Sequence, residues 1–266
     1  MMLASLLALV IGGVAMPAEA GVSHSKPNGN FVVAKNSPKL LAARTITIPG
    51  TRTSGNGCTI TPPRLRLAPG ARATEADEIA FNPSTCASRW HIGVPVTIIR
   101  PSGQGYRHLS AVATARASSA TARASSAYRI PATQYSTSGY EYAWTTDVIN
   151  ITLTSDKTNI AFAWDYNCVD SASGSANWSW HSSTGWGGPY NNGSWISTNC
   201  SYSDVWSQAS FNNSVFCWPS TVHSNYSGVY AEGWYDGSLY GWVNNMSYSG
   251  SCLPLYLHSQ LVRVSG

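Results

Sequence analysis

Aromatic residues are crowded into one half of the chain, and that crowding limits what this half can fold into. Phe31, Phe81, Trp90 and Tyr106 are the only ones before Tyr128, so 26 of the 30 Phe, Trp and Tyr residues fall between Tyr128 and Gly266. Ser, Thr, Asn and Gly supply most of the remainder. Helical periodicity is scarce there, whereas period-two patterning is frequent. Ile160, Phe162, Trp164, Tyr166 and Cys168 alternate with Ala161, Ala163, Asp165 and Asn167. Successive side chains of a strand point to opposite faces, so this run predicts a half-buried strand. Val148 to Leu153 reads as the strand before it, with a turn at Ser155-Asp156-Lys157, and Leu255 to Val264 as a closing strand. Short strands with frequent turns over residues 128–266 predict an all-β, antiparallel domain of β-sandwich or jelly-roll type.

One hairpin is sharply drawn. Asp236-Gly237 is a two-residue type I′ turn signal. Closing the hairpin on two residues sets Tyr235 against Ser238, Trp234 against Leu239, Glu232 against Gly241 and Ala231 against Trp242. One face then carries Tyr230, Glu232, Trp234, Leu239 and Val243. The other carries Tyr235, Tyr240 and Trp242.

The apolar stretch Leu3 to Met16, followed by Pro17 and Ala18-Glu19-Ala20, reads as the core and cleavage site of a secretory signal peptide over residues 1–20. No apolar run approaches the roughly 20 residues of a membrane span. The six cysteines, Cys58, Cys86, Cys168, Cys200, Cys217 and Cys252, include no C-x-x-C pair. Zinc and thioredoxin-like sites need that close spacing, so disulfides in an oxidising compartment are expected. Adjacency suggests Cys58–Cys86 and Cys200–Cys217, leaving Cys168–Cys252.

Charge divides the chain as sharply as aromaticity. Gly21 to Arg129 holds 14 Lys and Arg against 3 acidic residues, whereas only Lys157 and Arg263 oppose eight carboxylates from Ile130 onward. Residues 21–57, rich in Pro, Ser, Asn and Gly, read as a flexible leader, and 58–110 as a small disulfide-closed segment with a short strand at Val94 to Ile99. Residues 111–127 hold a direct repeat, Thr114 to Ala120 copied at Thr121 to Ala127. With nothing larger than Ala to bury, it reads as a low-complexity linker. The basic half could meet an anionic surface, but it lacks interleaved aromatics, so nucleic acid is not the expected partner.

No G-x-S-x-G elbow, H-E-x-x-H or glycine-rich nucleotide loop is present, and the histidines lack metal-ligand spacing, so neither a cofactor nor a metal is expected. His258, in the closing strand, reads as structural. The catalytic alternative rests on Glu141 and Glu232, the two glutamates after the linker, each set among aromatics. A retaining glycosidase needs two carboxyl groups about 5–5.5 Å apart. The stronger expectation is binding. Sugar C–H faces stack on aromatic rings, and Tyr235, Tyr240 and Trp242, with Trp178 and Trp180 on one face of an extended segment, offer such rings beside Asn and Asp. Extracellular polysaccharide or cell-wall glycan is the expected partner, and a purely structural surface role is the remaining alternative.

The strings Phe81-Asn82-Pro83-Ser84-Thr85-Cys86, Phe216-Cys217-Trp218-Pro219-Ser220-Thr221-Val222-His223 and Gly233-Trp234-Tyr235-Asp236-Gly237-Ser238-Leu239 together resemble a group of uncharacterised secreted proteins of high-GC Gram-positive bacteria. The resemblance spans about Cys58 to Val264. It implies export and disulfides, and assigns neither an activity nor a catalytic residue.

Overall fold

The computed structural model describes residues 32–33, 42–53, 57–93, 96–97, 133–250 and 255–265. The signal segment, the 111–127 linker and Cys252 lie outside these residues, as does most of the Val94 to Ile99 strand. In chain order the strands are β1 (Val32–Val33), β2 (Ala42–Ile48), β3 (Thr51–Arg52), β4 (Cys58–Ile60), β5 (Leu65–Leu67), β6 (Ala71–Phe81), β7 (Ser88–Gly93) and β8 (Val96–Thr97). They continue as β9 (Tyr135–Thr146), β10 (Thr152–Trp164), β11 (Val169–Trp180), β12 (Trp186–Thr198), β13 (Tyr202–Cys217), β14 (Ser220–Trp234), β15 (Leu239–Val243), β16 (Met246–Ser249) and β17 (Tyr256–Ser265). A 3-10 turn, Ser182–Thr184, joins β11 to β12, and there is no α-helix among the described residues. Strand pairing is antiparallel throughout the described residues, so the expected all-β, sandwich-like class holds.

Two sheets face one another. The first runs β11-β10-β9-β17-β6-β7-β2, with β1 and β8 also on β6. The second runs β12-β13-β14-β16-β4-β3, with β15 between β14 and β5. Along β14, residues 223–226 pair with β16 and residues 229–233 with β15. Thus β15 and β16 are successive parts of one rung, and β4 and β5 are successive parts of the next. Residues 58–93 therefore supply strands to both sheets beside the aromatic region, and the two stretches share one core. β2 and β3 fall inside the stretch whose composition suggested a leader.

Glycine sets the approach of the sheets. A Cβ on Gly233 would lie 2.4 Å from the Phe162 ring, and one on Gly237 would lie 2.5 Å from the ring of Trp164. Large rings on β10 thus seat against bare backbone on the facing hairpin. Each sheet-to-sheet disulfide pins a different end of the sandwich. Cys58–Cys86 ties β4 to the β6–β7 turn, and Cys168–Cys200 ties the β10–β11 turn to the β12–β13 turn. The adjacency pairing of Cys200 with Cys217, and with it Cys168 with Cys252, is therefore corrected. The shorter spacing from Cys200 to Cys217 is the wrong guide, because the β10–β11 and β12–β13 turns that carry Cys168 and Cys200 meet at one rim. Cys217 is also disulfide-bonded.

Two local expectations also change. The run from Ile160 stops at Trp164, because Asp165 Oδ1 accepts the amides of Asn167 and Cys168 at 2.9 and 2.8 Å and turns the chain. Tyr166 sits in that turn at φ 68° and is exposed. Residues 147–151 form a loop in which Asp147 Oδ1 accepts the amides of Ile149 and Ile151, each at 2.9 Å. The Ser155-Asp156-Lys157 stretch then lies within β10.

The core is not wholly apolar. The Tyr226 hydroxyl lies 2.8 Å from the hydroxyls of both Thr145 and Thr154. Ser207 donates to Asp156 at 2.5 Å, Ser259 donates to Glu141, and the amide of Leu257 donates to Glu78 at 3.0 Å. Loss of water around them pushes Glu78 and Glu141 up to about 8 and Asp156 up to about 7. These acids stay protonated in the fold while their unfolded counterparts ionise near pH 4–4.5. Between those limits the native state binds more protons, so stability falls as pH rises from about 5 to 8. Chemical denaturation should show that slope, and Glu141→Gln, which keeps the shape without the titration, should flatten it. An unchanged slope in Glu141→Gln would mean that the carboxyl is hydrated. Removing the Cys168–Cys200 bridge by paired Ser substitution should cost about 3–4 kcal/mol for a closed loop of this length, read as a lowered denaturation midpoint.

Candidate functional site

The outward face of the second sheet holds the densest exposed chemistry, and the turn at Asp236 decides what lies on it. The amide of Gly237 donates to Trp234 O at 2.9 Å, and the amide of Trp234 donates to Ser238 O at 3.0 Å. Gly237 has φ 79°, whereas Asp236 is not left-handed. This is a three-residue loop ending in a left-handed glycine, not the expected type I′ turn. Asp236 favours it by accepting the amide and hydroxyl of Ser238 at 2.8 and 3.1 Å. The register becomes Gly233 with Leu239, Glu232 with Tyr240, Ala231 with Gly241 and Tyr230 with Trp242. A slip of one residue on one strand moves its whole side-chain set to the other face. Tyr230, Glu232 and Trp234 therefore share the outward face with Tyr240 and Trp242, Glu232 buried beneath its neighbours there, while Leu239 and Val243 enter the core.

Across this face the rings form a ladder. Trp195 on β12, Trp206 on β13, Tyr230 on β14 and Trp242 on β15 are successive cross-strand partners. Their ring centroids are 6.0, 5.8 and 4.6 Å apart, with interplanar angles of 21°, 14° and 6°. The Arg64 guanidinium lies 4.2 Å from the Trp242 ring and 4.9 Å from Tyr240, and Arg66 lies 5.3 Å from Tyr240. Glu232 is the charged hinge of the face. Its Oε1 accepts from Arg64 at 2.7 Å and from the Trp234 indole at 2.6 Å. Asp204 is its cross-strand neighbour, and partial burial holds that carboxyl above the usual range. Asn244 closes the ladder by accepting from the Trp242 indole and donating to the Tyr230 hydroxyl, both at 3.2 Å.

Stacking has a consequence for ligands. A ring covered on both faces can offer only its edge. Trp242 is covered in this way, with Tyr230 towards β14 and Arg64 towards β5. Trp234 meets Tyr202 and Tyr240 only at tilts of 31° and 54°, and Tyr235 is exposed at the tip of the turn. Ring faces remain open around Trp234 and Tyr235, beside the carboxylates of Glu232 and Asp204.

The remaining sequence candidates lie elsewhere. Trp178 and Trp180 do share a face of β11, but Trp178 packs against the core and Trp180 tilts against Phe211. Neither joins the ladder. Glu141 is buried between the sheets, where a Cβ on Gly241 would lie 2.0 Å from its Oε2. Glu232 faces outward from the same β14–β15 ribbon. The ribbon therefore separates the proposed catalytic pair, and the two share no cleft. Sequence reasoning missed Trp206, Asp204, Arg64 and Arg66. The alternations Tyr202-Asp204-Trp206 and Arg64-Leu65-Arg66-Leu67 carried the signal, but only strand order shows that they meet.

On the first sheet, Tyr142, Trp144 and His258 stack at 4.9 Å intervals. His258 is held between Asp77 at 2.6 Å and Thr146 at 3.0 Å, a buried and fully partnered position. Among the described residues no group of three or more His, Cys, Asp or Glu is placed to hold a metal ion. A double-mutant cycle on Trp206→Ala and Tyr230→Ala should give a coupling of roughly 0.5–1.5 kcal/mol in thermal denaturation. Simple additivity would mean that these rings do not stack. The chain matches no family model, no curated protein and no solved structure.

Proposed function

We propose that the protein is exported, as are the secreted proteins its strings resemble, and that it binds extracellular or cell-wall glycan without turning it over. One observation carries this reading: half-buried and exposed rings, two carboxylates and two arginines lie contiguously on one outward sheet face. Extended apolar patches on a protein surface mark interaction sites. Sugars combine apolar C–H faces with hydroxyl groups, so they need open rings next to hydrogen-bonding groups. Trp234 and Tyr235 supply the rings, and Asp204 accepts from hydroxyls. Disulfides that staple both ends of the sandwich fit an oxidising compartment.

The purely structural alternative draws support from the middle of the ladder, where rings cover one another and act as cross-strand glue. The two readings separate by position. Trp234→Ala should weaken retention on the glycan identified by array screening at least tenfold while moving the melting temperature little. Trp242→Ala releases Arg64 and Tyr230 together, so it should lower the melting temperature. Retention unaffected by both Trp234→Ala and Asp204→Asn would sink the glycan reading and favour the structural one.

A further inference from the structure

The rim formed by β11 and β12 is built unlike an edge that stays alone in water. β11 ends the first sheet and β12 ends the second. The two strands are tied at one end by the Ser182–Thr184 turn. At the other end they are held by the Cys168–Cys200 bridge and by the Val169 amide, which donates to Cys200 O at 2.7 Å. Both sheets therefore end on one rim. Exposed edges are commonly protected by charged side chains, proline or bulges. Among the 12 residues of β11 and the 13 of β12, Asp170 is the only charged one. The first part of β12 is protected, by Pro189 and by register breaks between Gly187 and Tyr190 and between Tyr190 and Gly193. From Gly193 to Thr198 the register is regular, and here Trp195 and Ile196 are 44 % and 46 % exposed on opposite faces.

We propose that this rim pairs with the same rim of a second copy of the chain, about a two-fold axis normal to the sheets. Such an axis sets β12 antiparallel to its own image and β11 beside its image, which extends both sheets without a crossover. It also completes the ladder. One face of Trp195 lies on Trp206, and no described strand lies beyond β12 to cover the other. Across the axis that face meets its image, so the ring stack runs unbroken from one protomer to the other. Charge permits the match: like charges directly opposite destabilise a strand pair, and this segment of β12 has none to oppose. Size permits it as well. With the axis at Trp195, residues 192–198 of the two β12 strands overlap, a stretch about 23 Å long and about 20 Å across two sheets, on the order of 450 Å² per copy, the size of a weak, transient interface. The inference does not depend on the glycan reading, since Trp234 lies on β14, two strands in from β12, and Ile196 lies on the opposite face of β12 from Trp195.

Sedimentation equilibrium of the mature, disulfide-bonded chain should show the mass rising from one copy towards two between about 1 and 100 μM, the range of a moderate affinity. Trp195→Lys sets a charge opposite its own image, and Ile196→Lys sets one diagonal to its image on the other face, so each should weaken association at least tenfold. Glycan retention by Ile196→Lys should be unchanged, which keeps a failure of pairing distinct from a failure of the glycan site. If either lysine variant does not fold, cross-linking decides. Oxidised Trp195→Cys should give a covalent dimer on a non-reducing gel, and Val264→Cys, exposed in the middle of the first sheet, should not. A single-copy mass across the whole range, association indifferent to both lysines, or equal cross-linking by the two cysteine variants would each overturn the proposal.

Discussion

The close seating of β10 rings on the glycines of the β14–β15 hairpin is the contact on which the remaining structure depends. Phe162 and Trp164 occupy space that a side chain at Gly233 or Gly237 would fill. Because the rings come from one sheet and the bare backbone from the other, the sandwich closes only when the hairpin turns its glycine face inward. That choice forces the alternate residues outward. Tyr230, Glu232, Trp234, Tyr240 and Trp242 take the outward face because Ala231, Gly233, Leu239, Gly241 and Val243 take the inward one. Core and ladder are two sides of one register.

The same seating explains the polar interior. Sheets held this close leave little room for water, so buried groups must find partners in the chain. Hydroxyls from Thr145, Thr154, Thr158, Ser207, Tyr226 and Ser259 supply many of them. The carboxyl groups of Glu141 and Asp156 are tolerated because burial favours their neutral form. A neutral acid facing a serine hydroxyl is far less costly than a buried carboxylate. Glu232 shows the opposite solution. It faces outward and is held by Arg64, so two glutamates that look alike in sequence occupy unlike environments on either side of one ribbon.

How much of this was legible in the chain differs by level. Alternation in Ile160 to Trp164 announced a strand, and the absence of helical periodicity together with aromatic density announced an antiparallel sandwich. The Cys58–Cys86 bridge followed from adjacency because its two ends belong to consecutive parts of the chain. The Cys168–Cys200 bridge also joins successive cysteines, 32 positions apart, but the shorter spacing from Cys200 to Cys217 pointed elsewhere. The Asp236-Gly237 turn was found at the right place with the wrong length. A dipeptide does not reveal that Asp236 will bond forward to Ser238 and add a residue to the loop, and that single residue reassigns Glu232 and Trp234 to the outward face.

Sequence alone determined the composition of each surface: which stretches alternate, where rings are dense, and that charge is nearly absent from residues 169–198. These are local properties, set by side chains one or two positions apart. Tertiary structure alone decided which rings touch. Trp195, Trp206, Tyr230 and Trp242 come from four strands, and Arg64 lies 178 positions before Trp242 in the chain. Their stacking depends on strand order and on a register fixed by packing on the far side of the sheet. No local pattern encodes it, because the energy that selects the register lies in the core and the ladder only follows.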